Sequence, residues 1–152
     1  LKTDAKQTAL AALARREHSA FELRRKLLDK GHDPAETDQV LTALIRDKLI
    51  SDERYAEAYT RSRALKGYGP RYIAAALRER GVSQELIQQS VDGNNPVWRQ
   101  RAAEARRKRF GVLPGDYREK ARQMRFLETR GFSAEQIRAA LRQDEDWQLL
   151  NR

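Results

Sequence analysis

Lys30-Gly31-His32-Asp33, Arg80-Gly81-Val82-Ser83 and Arg130-Gly131-Phe132-Ser133 stand one fifty-residue step apart, and their reading decides the fold. In each, a basic residue precedes a glycine and a helix-capping residue follows two places later. Glycine tolerates the left-handed conformation that ends a helix, and aspartate or serine accepts from the free amides that begin the next. The flanks repeat as well: Leu27, Leu77 and Leu127 lie four residues before the glycine, and Leu41, Val91 and Leu141 lie ten after it. A fixed step that preserves a helix stop, a helix start and the apolar positions around them marks a tandem repeat. The expected fold is all-α: three tandem three-helix repeats forming an elongated, curved, right-handed-type solenoid. The expected segments are 1–50, 51–95 and 96–143, followed by an acidic C-terminal tail at 144–152.

Working outward from the glycines, local signals place nine helices. Ser19 with Glu22, and Ser133 with Gln136, have capping-box spacing. Asp33-Pro34 supplies a cap and a proline at the first helical position. Ser51-Asp52 opens a helix whose expected inward stripe is Tyr55, Ala58, Tyr59, Ser62 and Leu65. Gly67-Tyr68-Gly69-Pro70 is a stop followed by a restart, with Tyr72, Ile73, Ala76 and Leu77 inward on the next helix. The first helix should bury Ala9, Leu10 and Leu13, the second Phe21, Leu23, Leu27 and Leu28, and the third Val40, Leu41, Leu44 and Ile45. In the last repeat the expected inward positions are Val97, Trp98, Ala102 and Ala105, then Tyr117, Ala121, Met124 and Leu127, then Ile137, Ala140 and Leu141. Asp92-Gly93-Asn94-Asn95-Pro96 reads as a linker. No strand-like alternation occurs.

Composition narrows the functional classes. The 152 residues include no cysteine, which removes disulfides and thiolate metal sites. No apolar run approaches the length that crosses a bilayer, so no membrane role is expected and the chain reads as cytoplasmic. The first residue, Leu1, suggests that the native start is missing. His18 and His32 have no second ligand nearby and are expected at the surface, which argues against a metal site. Ser19, Ser51, Ser83 and Ser133 are explained as helix caps rather than nucleophiles. Gly67-Tyr68-Gly69 lacks the remaining elements of a phosphate loop. Asp52-Glu53 reads as helix N-terminal charge and Asp144-Glu145-Asp146 as a solvated tail. The chain is therefore expected to bind rather than catalyse, with no cofactor.

What it binds is suggested by charge. The formal net charge is +9, and it is uneven: the stretch from Arg99 to Arg130 holds 11 basic and 4 acidic residues, a net of +7. A polyanion, above all nucleic acid, suits such a patch. Tyr55, Tyr59, Tyr68 and Tyr72 lie among Arg54, Arg61, Arg63 and Arg71, where rings could stack on bases. Tyr55, Tyr59 and Tyr72 also fall on apolar stripes, so core packing stays open for them. Arg106-Arg107-Lys108-Arg109 spreads around its helix, and some of these stems must lie along the core.

Several segments in order resemble the RecX family, bacterial regulators of the RecA recombinase. In the middle repeat these are Ser51-Asp52-Glu53-Arg54-Tyr55-Ala56, Arg61-Ser62-Arg63, Gly69-Pro70-Arg71-Tyr72-Ile73 and Leu77-Arg78-Glu79-Arg80-Gly81-Val82. Ser19-Ala20-Phe21-Glu22-Leu23 and Lys26-Leu27-Leu28-Asp29-Lys30-Gly31 carry it in the first. Lys108-Arg109-Phe110-Gly111 and Phe126-Leu127-Glu128-Thr129-Arg130-Gly131-Phe132-Ser133 carry it in the third. The departures are His32, where the family tends to have an aromatic or aliphatic residue, and Thr37, in place of the apolar residue found at Ile87 and Ile137.

The resemblance implies a regulator that binds the groove of the RecA–DNA filament and limits its ATPase, strand-exchange and co-protease activities in DNA repair and the SOS response. No long heptad seam suggests a coiled-coil dimer, so a monomer is expected. The implied partners are the RecA filament and single- and double-stranded DNA without sequence preference. The basic residues expected to contact DNA or filament are Arg24, Arg25 and Lys26 in the first repeat, and Arg61, Arg63, Lys66 and Arg71 in the second. In the third they are Arg99, Arg106, Arg107, Lys108, Arg118, Arg122 and Arg125. The other readings are a non-specific DNA-binding helical protein and a helical repeat adaptor for another protein. The last helix of each repeat is only mildly basic, which argues against a base-reading helix, and an adaptor leaves the +7 stretch unexplained.

Overall fold

The computed structural model describes residues 3–151. Residues 1, 2 and 152, the ends of the expected first and last segments, lie outside the described residues. Nine α-helices and no strand occur among the described residues: α1 Ala5–Arg15, α2 Ala20–Asp29, α3 Pro34–Arg46, α4 Asp52–Leu65, α5 Pro70–Glu79, α6 Gln84–Ser90, α7 Val97–Phe110, α8 Tyr117–Thr129 and α9 Ala134–Leu150.

The repeat signal becomes geometry. Gly31, Gly81 and Gly131 have φ of 87°, 76° and 99°. After each, the next residue's amide reaches back to the leucine four places before the glycine: His32 to Leu27, Val82 to Leu77 and Phe132 to Leu127, at 3.1–3.2 Å. This is the Schellman closure, which satisfies carbonyls that the helix end leaves open. Leu27, Leu77 and Leu127 are all fully buried. Position 37 and its equivalents Ile87 and Ile137 are buried too, so Thr37 occupies an apolar niche, where its hydroxyl finds no hydrogen-bond partner.

Caps largely follow the sequence signals. Ser133 and Gln136 form a complete capping box, as do Asp4 and Gln7. Ser19 accepts from the Glu22 amide, but the Glu22 carboxylate turns instead to Arg16, at 2.9 and 3.1 Å. Asp33 caps α3 and Ser51 accepts from the Arg54 amide.

Internal contacts divide the chain into two compact units. The first runs up to Tyr59 and includes Ala76–Ser90; the second comprises Thr60–Ala75 and everything from Val91 onward. In the first unit, Ala9, Ala12, Leu23, Leu27, Leu41, Leu44 and Ile50 form a continuous apolar core. Each large aliphatic chain there contributes about 1.5–3 kcal/mol by leaving water.

Several expected inward positions face outward. Leu10, Phe21, Ile45, Leu65, Tyr72, Val97 and Tyr117 are exposed. The inward seam of α4 is Tyr55, Ala56 and Ala64, because alanines let neighbouring backbones approach where a leucine would hold them apart. The expected acidic tail differs as well. α9 continues through 144–150 to Leu150, and Asp144 is buried rather than solvated. His18 is only 1% exposed, against its expected place at the surface. Its Nε2 lies 3.0 Å from the Lys26 ammonium, which can only donate, and its Nδ1 lies 3.1 Å from the Arg16 carbonyl, which can only accept.

Candidate nucleic-acid interface

In the second unit, α7 turns Trp98, Ala102, Ala105 and Arg106 inward. That rotation leaves Arg109 exposed and Phe110 half-buried at the end of the helix. Asp116 caps α8 by accepting from the Glu119 amide, and Gln123 and Leu127 fix the inward face of that helix. Arg118, Arg122 and Arg125 consequently share its outer face, all exposed. At spacings of four and three residues they stand about 6 and 4.5 Å apart along the axis.

Rings beside this face hold guanidinium groups in place. Phe110 and Phe126 meet edge to face at 5.3 Å. Arg109 lies 5.1 Å from the Phe110 centroid and 5.7 Å from that of Phe126. Arg122 covers Phe110 at 5.3 Å. Arg130 lies 5.0 Å from Phe126 and 4.6 Å from Tyr68, which stacks on Tyr72 at 4.2 Å. The result is a series in which cations and rings alternate from Arg122 through Phe110, Arg109, Phe126 and Arg130 to Tyr68, with Tyr72 stacked beyond. Each cation–π contact at the surface contributes about 0.5–1 kcal/mol. It also restricts an arginine side chain that otherwise has about 2 kcal/mol of rotamer freedom to lose. Donors restrained in this way suit phosphate oxygens, which guanidinium groups can grip in pairs.

The nominated residues divide accordingly. Arg122 joins the ring series, although Glu119 also accepts from it at 3.2 Å. Among the described residues, Arg25, Arg61, Lys66, Arg71, Lys108, Arg118 and Arg125 are exposed and carry no ion pair. Arg63 is half-buried. Arg24 and Arg99 are exposed but paired, with Asp38 at 2.8 Å and Glu135 at 2.9 Å. Lys26 is half-buried against His18.

Arg106 is a correction. It is 1% exposed, and its Nε donates to Asp144 at 2.9 Å while Nη1 donates to the Val112 carbonyl and to Gln123. It faces inward because α9 supplies a buried carboxylate there, so it is part of the fold and not of an exposed basic face. Arg107 is exposed, with one nitrogen held by the same carboxylate.

Arg109, Phe110, Phe126 and Arg130 were not among the nominated contacts. One local signal pointed to part of the series: Phe126 and Arg130 are four apart on a helix, where side chains meet. The tyrosines separate cleanly. Tyr55 is buried, and burial, followed by the Glu22 carboxylate, pushes its hydroxyl up to about 12, so it packs in the first unit's core. Tyr59 tilts against it at 5.8 Å and is covered by Arg80 at 5.0 Å. Tyr68 and Tyr72 belong to the second unit's surface series.

The serines at the helix starts are engaged as caps. Ser19, Ser51, Ser83 and Ser133 each accept from a helix-start amide. Among the described residues, no group of three or more His, Cys, Asp or Glu could hold a metal ion, and no helix is long and apolar enough to cross a membrane.

Comparison with known proteins agrees with the repeat step. Models of the first, second and third three-helix domains of RecX match residues 5–44, 51–91 and 99–141. The regulatory protein RecX of Halorhodospira halophila is 44% identical over 136 residues, covering 89% of this chain and 84% of the relative. That of Chromohalobacter salexigens is 42% identical over 133 residues, covering 88% of each. The crystal structure of RecX from Lactobacillus salivarius superposes with a TM-score of 0.75 at 22% identity, over 91% of this chain and 93% of that one, a likeness of fold. With all three domain models matched in order and relatives at this identity along most of its length, the chain belongs to the RecX family.

Proposed function

We propose that this protein binds RecA filaments on DNA and restrains them, limiting ATP hydrolysis, strand exchange and co-protease activity. Family membership supports RecA as the regulated partner. The observation that carries the mode of action is the arginine–aromatic series along α7 and α8, a set of restrained cationic donors. Occupying the filament groove would deny that space to a second DNA strand or to a repressor awaiting cleavage, with no bond made or broken by this chain. Opposite charge would speed the encounter and make binding salt-dependent.

The test is RecA-catalysed ATP hydrolysis on single-stranded DNA with increasing amounts of this protein. Hydrolysis should fall as the protein saturates the filament; unchanged hydrolysis at excess protein refutes the proposal. Replacing Arg118, Arg122 and Arg125 together with alanine should also flatten the salt dependence of binding to single-stranded DNA. Each lost phosphate contact removes about 0.7 from the slope of log affinity against log salt. A triple variant with the parental slope would remove α8 from the interface.

A further inference from the structure

Beside the buried Arg106, the 111–113 turn and the last turns of α9 enclose a groove of about 720 Å³. Val112, Leu113 and Trp147 line it, and Val112 and Trp147 are 76% and 66% exposed. Arg106, Arg107 and Asp144 line it too. Two guanidinium groups thus share one carboxylate, and the groove carries one positive charge in excess. Three of the Arg106 donors are engaged, one by Asp144, one by the Val112 carbonyl and one by Gln123, while no hydrogen bond among the described residues involves its Nη2. A guanidinium in this position is nine-tenths buried, rigidly held, and still has an edge to offer.

We propose that this groove binds an apolar peptide segment bearing a single carboxylate. The apolar walls would take aliphatic or aromatic side chains, and Trp147 supplies a large flat contact of the kind that dominates peptide and protein recognition. The carboxylate would complete the pairing of Arg106 and Arg107, replacing water at donors that are already oriented. Charge around the groove distinguishes this ligand from a nucleic-acid strand. Asp144 balances one of the two guanidinium groups, which leaves one positive charge to be met in the groove. A phosphate chain brings a charge at every nucleotide, more than the single excess charge of the groove can pair. A peptide with one acidic group places its charge on the arginines and meets the rest of the groove with apolar side chains.

The probes are an amidated leucine-rich pentapeptide with one central glutamate, its glutamine twin, and an eight-nucleotide oligothymidylate, each titrated into the full chain while the indole N–H signals are followed by NMR. Trp98 is buried and reports folding; Trp147 is exposed and reports the groove. The glutamate peptide should shift the Trp147 signal saturably, with at least tenfold tighter binding than the glutamine twin. Arg107→Gln should remove most of that tenfold difference while the Trp98 signal stays in place, because Arg107 is exposed and lies at the rim. Equal affinity for the two peptides, no saturable shift, or an oligothymidylate that shifts Trp147 at lower concentration than the peptide would each overturn the proposal. Filament regulation can fail in the ATPase assay while this site stands, and the reverse also holds.

Discussion

The two compact units are built on the same fifty-residue step but are held together by different means. The first has an aliphatic core, and its joint between repeats uses a side chain: the Ser19 hydroxyl donates to the Arg80 carbonyl at 2.8 Å. Asp52 adds a second side-chain link by accepting from the Ala20 amide at 2.9 Å. The second unit makes the equivalent joint fifty residues later with backbone amides, and the Arg130 guanidinium adds a longer bond to the Lys66 carbonyl at 3.4 Å. The Gly69 amide donates to the Arg130 carbonyl at 2.7 Å and the Arg71 amide to the Gly131 carbonyl at 3.0 Å. Part of its interior is polar, with Arg106, Asp144 and Gln123 buried and bonded to one another or to shared partners. A repeat can therefore preserve where its joints fall while changing the chemistry that makes them. What persists is the helix stop that delivers a carbonyl to the start of the second helix of the preceding repeat.

The polar interior gives the largest test of this contrast. Asp144→Ala strands a buried guanidinium without its counter-charge, and breaking such a pair costs about 3–5 kcal/mol. In chemical denaturation the variant should lose most of the second unit's stability. Replacing Arg106 by methionine and Asp144 by leucine together should recover much of it, since an apolar pair of similar volume needs no charge balance. In the first unit, Leu27→Ala should cost about 2–5 kcal/mol through a cavity, with no rescue by a partner substitution. If Asp144→Ala were tolerated as well as an ordinary surface change, the polar interior would not be what holds the second unit.

The joints give the next test. Alanine at Gly81 or Gly131 must hold a positive φ, at about 1–2 kcal/mol. At Gly81 the added carbon meets the Cβ and ring of Phe21; rotation about χ1 moves only the ring, so α2 must shift there too. At Gly131 it meets the backbone of Tyr72, and the Gly69 side of the same joint is equally tight against Gly131 and Phe132. Both substitutions must displace backbone, but at Gly131 the displacement also strains the two backbone hydrogen bonds of the joint, worth about 1 kcal/mol each. Thermal unfolding should rank Gly131→Ala clearly below Gly81→Ala; the opposite order would show that the side-chain joint is the tighter one.

The contrast also explains what could be read in advance. Glycines, leucines and caps at a fixed step are local signals, so the repeat and the helix starts at Ser19, Asp33, Ser51, Pro70, Ser83 and Ser133 were readable within a residue or two. Faces were harder. On α4, the inward positions Ala56 and Ala64 look neutral in sequence, while Leu65 looks like core yet is exposed at the end of its helix. The buried polar groups were out of reach because their partners come from far along the chain: Arg106 meets Gln123 17 residues away and Asp144 38 away. The same distance hid most of the ring series, since Tyr68 and Arg130 belong to different repeats and only folding brings them together.

The smallest expected effect is the pH response, and it too should separate the units, because both histidines precede Tyr59. Burial, helped by the charges of Arg16 and Lys26, holds His18 below its ordinary value of 6.5, against the opposing hydrogen bond to the Arg16 carbonyl. The unfolded chain thus takes up a proton more readily than the folded one, so stability is fully present above pH 6.5 and is lost as pH falls toward the folded value. The steepest slope for a single proton is about 1.4 kcal/mol per pH unit. Protonation would also turn Nε2 from an acceptor into a donor facing Lys26, beside the Ser19 joint. Hydrogen exchange should therefore report faster opening of the first unit at mildly acidic pH, with the second unit protected as at neutral pH, and His18→Gln should flatten the difference. If both units loosened together in the variant as in the parent, the acid response would belong to the carboxylates shared by the whole chain, and the side-chain joint would not be the pH-sensitive element.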